Sequence, residues 1–166
     1  MNKLLFILCF ALFITSCSSE DDGDMSVVGT WKLTAWDVVG GFDINNDGTT
    51  NTNILDEIEC ENNETLTFDV NNVVASNKTF NPDVNIALQE GTTDKYMFNV
   101  ACDEEGIIGL ATSYSQNLDI VLFNGIESTV IGNQLFRLMK GSIKIYNEDF
   151  TEIITTRDVT FVYTRQ

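Results

Sequence analysis

From residue 26 onward the chain keeps returning to one pattern, apolar and polar residues in alternation. A period of two is what a strand with one buried and one wetted face requires. In the first such run Trp31, Leu33 and Ala35 share one face, and Thr30, Lys32 and Thr34 share the other. Leu66, Phe68 and Val70 stand opposite Thr65, Thr67 and Asp69, while Tyr96, Phe98 and Val100 stand opposite Lys95 and Asn99. Runs at 107–114, 118–123, 134–140, 142–147, 150–156 and 158–165 alternate in the same way. Only Leu55 and Ile58, just before Cys60, have the spacing of a short helical turn.

Clusters rich in Asn, Asp and Gly separate these runs: Asn71-Asn72, Asn124-Gly125, Gly132-Asn133 and Asn147-Glu148-Asp149. Such residues tolerate the left-handed backbone of tight hairpin turns. The chain has one proline, and no long stretch follows a helical period. The expectation is an all-β, antiparallel up-and-down chain of about eight to ten strands, closed into a barrel or folded as a sandwich.

The first sixteen residues do not belong to that pattern. Lys3 precedes an unbroken apolar run, residues 4–14, which is too short to span a bilayer as a helix but suits the core of a signal peptide. The run ends in Ile14-Thr15-Ser16-Cys17, which resembles the bacterial lipobox. That resemblance implies cleavage before Cys17 and acylation of its thiol. Residues 17–25 then form an acidic tether, Ser18-Ser19-Glu20-Asp21-Asp22-Gly23-Asp24, with too little apolar surface to fold. It is similar to the acidic address that some Gram-negative bacteria use for surface lipoproteins, which implies a cell-envelope, outer-membrane location. The remainder, 26–166, is the length of one domain with a real core.

Of the chain's nine basic residues only Lys3 falls in the leader, so eight remain from Cys17 onward against all 25 acidic ones, a net charge of −17. Such a surface repels nucleic acid and anionic lipid, which need clustered Lys and Arg, and favours cations. Histidine is absent, which removes Ser-His-Asp and Cys-His catalysis and most transition-metal sites. With Cys9 in the leader and Cys17 acylated, Cys60 and Cys102 are left as a pair. In an oxidising compartment such a pair reads as a disulfide, the alternative being two buried thiols.

Gly29-Thr30-Trp31 at the head of the first strand resembles the Gly-x-Trp opening of lipocalins, and Val28 through Thr34 resembles the start of small lipocalin-like domains of exported bacterial lipoproteins. The resemblance covers 26–166. It implies a barrel closed at one end by Trp31 beside Gly29, with an arginine from a late strand over the ring. Arg165 shares a face with Val159, Phe161 and Tyr163 and is the first candidate; Arg157 is the second. It also implies a ligand-sized mouth for a small apolar or amphipathic molecule. Trp31, Phe68, Phe98, Phe136 and Phe161 are the candidate wall, and Tyr96 and Phe123 are further inward aromatics. A monomer is expected.

Asp43-Ile44-Asn45-Asn46-Asp47-Gly48-Thr49 matches the first half of an EF-hand or dockerin calcium loop. Asp43, Asn45, Asp47 and the carbonyl of Thr49 are candidate calcium ligands, and Gly48 permits the turn. The twelfth position is Ile54 rather than Glu, so Asp56 or Glu57 would have to serve. The alternative is a plain Asx-rich turn. Acid pairs occur at Asp56/Glu57, at Asp103/Glu104/Glu105 and at Glu148/Asp149, and glycosidases work with two acids, but no nucleophile stands with a base and no catalytic residue is assigned. A carrier, a filled structural module and a carboxylate hydrolase remain as alternatives. They differ in whether the interior holds a cavity, none, or two converging acids.

Overall fold

The computed structural model describes residues 26–102 and 109–166. The leader, Cys17, the tether and the acids Asp103, Glu104 and Glu105 lie outside these residues. The described chain forms eleven strands: β1 (Gly29–Phe42), β2 (Asn51–Asn53), β3 (Thr65–Phe68), β4 (Val73–Asn77), β5 (Asp83–Leu88), β6 (Tyr96–Ala101), β7 (Leu110–Asn117), β8 (Ile120–Phe123), β9 (Ile126–Ile131), β10 (Gln134–Tyr146) and β11 (Ile153–Arg165). One 3-10 turn, Ile54–Asp56, is capped by Asn53, whose side chain accepts from the Leu55 N–H.

Eight of the strands close a ring. Their order is β1-β3-β4-β7-β8-β9-β10-β11, each antiparallel to the next, and β11 returns to β1. This is the expected all-β meander closed into a barrel, and closure leaves no ring strand with an unpaired edge. Two insertions decorate it. β2 pairs with β1, and the β5–β6 hairpin lies beside the far end of β10, where Ile86 and Ala87 pair parallel with Ile145 and Tyr146.

The turns follow their residues. Asn124 (φ 49°) and Gly125 (φ 72°) are both left-handed between β8 and β9, the two-residue turn whose twist matches a hairpin. At the β3–β4 turn Asp69 Oδ1 accepts from the Asn71 and Val73 N–H groups, at 2.9 and 2.8 Å. The Val73 bond above all, with those from the Asn71 side chain and N–H, holds the Asp69 carboxyl below its usual range.

The register slips at four places among the described residues, and two of these bulges re-aim side chains. Between Leu33 and Ala35 the register of β1 against β11 slips, so Ala35 leaves the face of Trp31 and Leu33 and the buried Trp36 takes it. In β10 the stretch from Met139 to Ile143 faces only Val159 to Arg157 of β11. Gly141 turns there at φ 61° and donates its N–H to Asp158 Oδ1 at 2.8 Å. The runs 134–140 and 142–147 are therefore one bulged strand, and 150–156 and 158–165 merge into β11. β2, β4, β5 and β9 are further strands that the alternating runs did not mark.

Trp31, Leu33, Val38, Phe42, Leu66, Phe68, Val121, Phe123, Leu135, Val159 and Tyr163 belong to one continuous core. Cys60 and Cys102 are bonded, with their Cα atoms 5.3 Å apart. The bond ties the segment after the 3-10 turn to the end of β6.

Candidate functional site

The barrel has two unlike ends. At one, Trp31 is fully buried and its indole N–H donates to the Val27 carbonyl at 2.8 Å. The Arg165 guanidinium lies over its ring, 4.6 Å from the centroid, and donates to the carbonyls of Val28 and Ser26. Gly29 sits between them at φ 136°, a conformation suited to a residue without Cβ. Val27, itself buried, donates its N–H to Gln116 across the barrel. The segment before β1 is thus folded under the barrel and pinned from three sides.

Arg157 works elsewhere. It lies over Phe42 at 4.6 Å, donates to the Tyr96 hydroxyl at 2.7 Å, and so fastens the β5–β6 hairpin to the far part of β1. Tyr96 and Phe98 pack edge-on against Phe42 in that same cluster.

At the end away from Trp31 the structure contains a cavity of about 650 Å³. β1 reaches it only at Trp36, β11 at Val159, Phe161 and Tyr163, and β10 from Arg137 onward; residues 79–85, which lead into β5, form the opposite wall. The volume lies within the usual range for small-molecule sites, roughly 300–1,000 Å³. Its wall is mainly apolar and aromatic. Trp36 stacks on Phe161, centroids 5.1 Å apart, and meets Phe80 edge-on at 5.2 Å.

Of the five aromatic residues expected to line a ligand site, Phe161 is in this wall and the other four are not. Trp31 is the plug at the other end. Phe68 packs edge-on against Tyr114 and Phe123, and Phe98 belongs to the hairpin cluster. Phe136 alternates with the inward Leu135 and Arg137 and pairs with Val162 and Thr129. Trp36 and Phe80 take their places. The β1 bulge hides the first from an alternation count, and the second lies in a connecting segment.

Three polar side chains sit within this apolar setting. Glu64, 6% exposed, accepts from the Tyr163 hydroxyl at 2.7 Å on one oxygen and from the Phe80 N–H at 2.8 Å on the other. Burial pushes the Glu64 carboxyl above its usual range, opposed by those two hydrogen bonds and by the charges of Arg137 and Lys32. Burial likewise pushes the Tyr163 phenol up, helped by the Glu64 charge. It pulls the Arg137 guanidinium down, against the pull of Tyr163 and Glu64. Arg137 also lies over the Phe123 ring, 4.2 Å from its centroid.

The loop at 43–49 forms successive Asx turns. Asp43 accepts from the N–H groups of Asp47 and Gly48 (3.0 and 3.1 Å), Asn45 from Asp47 (2.9 Å), and Asp47 from Thr49 (2.7 Å). Glu57, buried beneath the loop, accepts from the Ile44 and Asn45 N–H groups. The spacing that offers oxygens to calcium thus also closes the loop on its own amides. Among the described residues, no three Asp, Glu, Cys or His side chains gather as metal ligands.

No protein-family model, curated protein or solved structure matches the chain.

Proposed function

We propose that this chain is a binding module of the cell envelope, anchored by lipid on Cys17, that holds a small apolar or amphipathic molecule in its barrel. The observation that carries the ligand reading is the cavity opposite Trp31, of a size that suits a ligand. A filled structural module would lack such a space. Glu64 has both oxygens engaged by Tyr163 and Phe80, which supports a structural carboxylate rather than a proton-transfer group.

The expected result is saturable, one-to-one quenching of tryptophan fluorescence by at least one member of a panel of fatty acids, haem and sterols, since Trp36 lies in the cavity wall. A panel that leaves the fluorescence unchanged while the protein is folded would argue for the structural module instead.

The anchor rests on the junction Ile14-Thr15-Ser16-Cys17. Several acyl chains hold a protein at a membrane where one would not, at about 0.8 kcal/mol per buried methylene. Among the described residues, no helix is long and apolar enough to cross a membrane. Cys17→Ala is expected to shift the protein from the membrane fraction to the soluble one. A variant that still sediments with membranes through a carbonate wash contradicts the lipid anchor.

A further inference from the structure

Trp36 on β1, Phe161 on β11, Arg137 on β10 and Ser128 on β9 are successive cross-strand partners, a single row over four neighbouring strands. Cross-strand partners project to the same side of a sheet, and here that side is the interior. Trp36 is 8% exposed, Arg137 7% and Ser128 1%. Each of the three carries a buried polar atom with no hydrogen-bond partner among the described residues: Trp36 Nε1, Arg137 Nε and Ser128 Oγ. Orphaned donors are few in a folded protein, and each costs about 1–3 kcal/mol in lost hydration. Here they share one row, and the cavity wall includes two of its members, Trp36 and Arg137.

The chemistry of the row selects its partner. An indole N–H and a guanidinium N–H only donate, so the missing group is an acceptor. A buried guanidinium further favours an acceptor that is negatively charged. Glu64 does not fill this place: its oxygens accept from Tyr163 and Phe80, and neither is bonded to Trp36 Nε1 or Arg137 Nε, although its charge acts on Arg137. An ammonium would be repelled by Arg137. The other cation of the wall, Lys144, is exposed.

We propose that the ligand is an amphipathic carboxylate, bound with its carboxyl group inward against Arg137 and Trp36 and its apolar chain running outward past Phe80, Val84 and Met139. The proposal deepens the carrier reading and rests on it.

Isothermal titration of the purified full chain with decanoate, decanol and decylamine tests it. Decanoate is expected to bind one to one and at least tenfold tighter than decanol, with decylamine weakest. Arg137→Met is expected to weaken decanoate about tenfold to a hundredfold, the scale of a charged hydrogen bond, and decanol, whose hydroxyl accepts without charge, only about a few-fold. Should Arg137→Met fail to fold, Trp36→Phe keeps an aromatic ring and removes only the indole donor; a several-fold loss for decanoate and a smaller one for decanol is then expected. Decanol binding as tightly as decanoate in the native chain overturns the carboxylate proposal and leaves the carrier reading standing. Failure of all three, together with the wider ligand panel, removes the carrier reading itself.

Discussion

Replacing Cys60 and Cys102 together by serine is expected to lower stability by about 4 kcal/mol. The bond joins residues 42 apart in sequence, and closing a loop of that length removes about this much freedom from the unfolded chain in the chain-entropy model. For a domain of this size the melting temperature should fall by roughly 10 °C. The loss has a definite place. The β5–β6 hairpin touches β10 through only two register pairs, Ile86 with Ile145 and Ala87 with Tyr146, so without the bond its amides should exchange ahead of the barrel's. Because Val84 and Asn85 line the cavity, ligand affinity should fall with hairpin order. Denaturant unfolding and hydrogen exchange of the double variant check both points. A loss under about 1 kcal/mol would mean that the hairpin is held by its packing against Phe42 and Arg157 rather than by the bond.

The second large effect is expected at the closed end. Trp31→Ala should cost about 3–5 kcal/mol, the usual range for emptying a buried indole site, because Trp31 is fully enclosed and its N–H holds the Val27 carbonyl. Arg165→Ala should cost less, about 1 kcal/mol for the ring contact plus the bonds to Ser26 and Val28. Measured together, the two changes should be less than additive, since Arg165 rests on the ring that Trp31→Ala removes. Equilibrium denaturation of the two single variants and the double variant measures this. Full additivity would show that Arg165 acts on the backbone of 26–28 and not through Trp31.

What could be read in the sequence, and what could not, follows from how a barrel is built. Alternation identifies strands and the Asn-Gly signals identify turns, so the all-β meander was legible. The pairing of Cys60 with Cys102 followed from counting thiols. Trp31 and Arg165 could be placed together only through the resemblance of Gly29-Thr30-Trp31 to the lipocalin opening, which implies a late-strand arginine over the ring; parity left Arg165 and Arg157 as the two choices. Alternation says which face of a strand a residue takes, but not its height along the barrel axis. Phe68 and Phe161 are both inward, yet one packs in the core near Tyr114 and the other lines the cavity. Bulges defeat parity altogether, as Trp36 shows by taking the face that Ala35 was expected to hold. Arg137 was hidden for a different reason. In Leu135-Phe136-Arg137-Leu138 the apolar choice is to turn Phe136 inward, and the barrel instead buries the arginine over Phe123. That exchange is a local conflict between hydrophobic pattern and structure, of the kind that marks functional sites.

The most direct test of the account uses the chain's two tryptophans as reporters at opposite ends of the barrel. Each indole N–H gives one signal in a proton–nitrogen correlation spectrum, assigned through the Trp36→Phe variant. The Trp31 donor is already bonded to Val27, whereas the Trp36 donor has no partner among the described residues. On titration with decanoate the Trp36 signal is predicted to move downfield and saturate at one equivalent while the Trp31 signal stays in place. Equal movement of both signals, or none in either, would contradict a ligand site in the cavity beside Trp36.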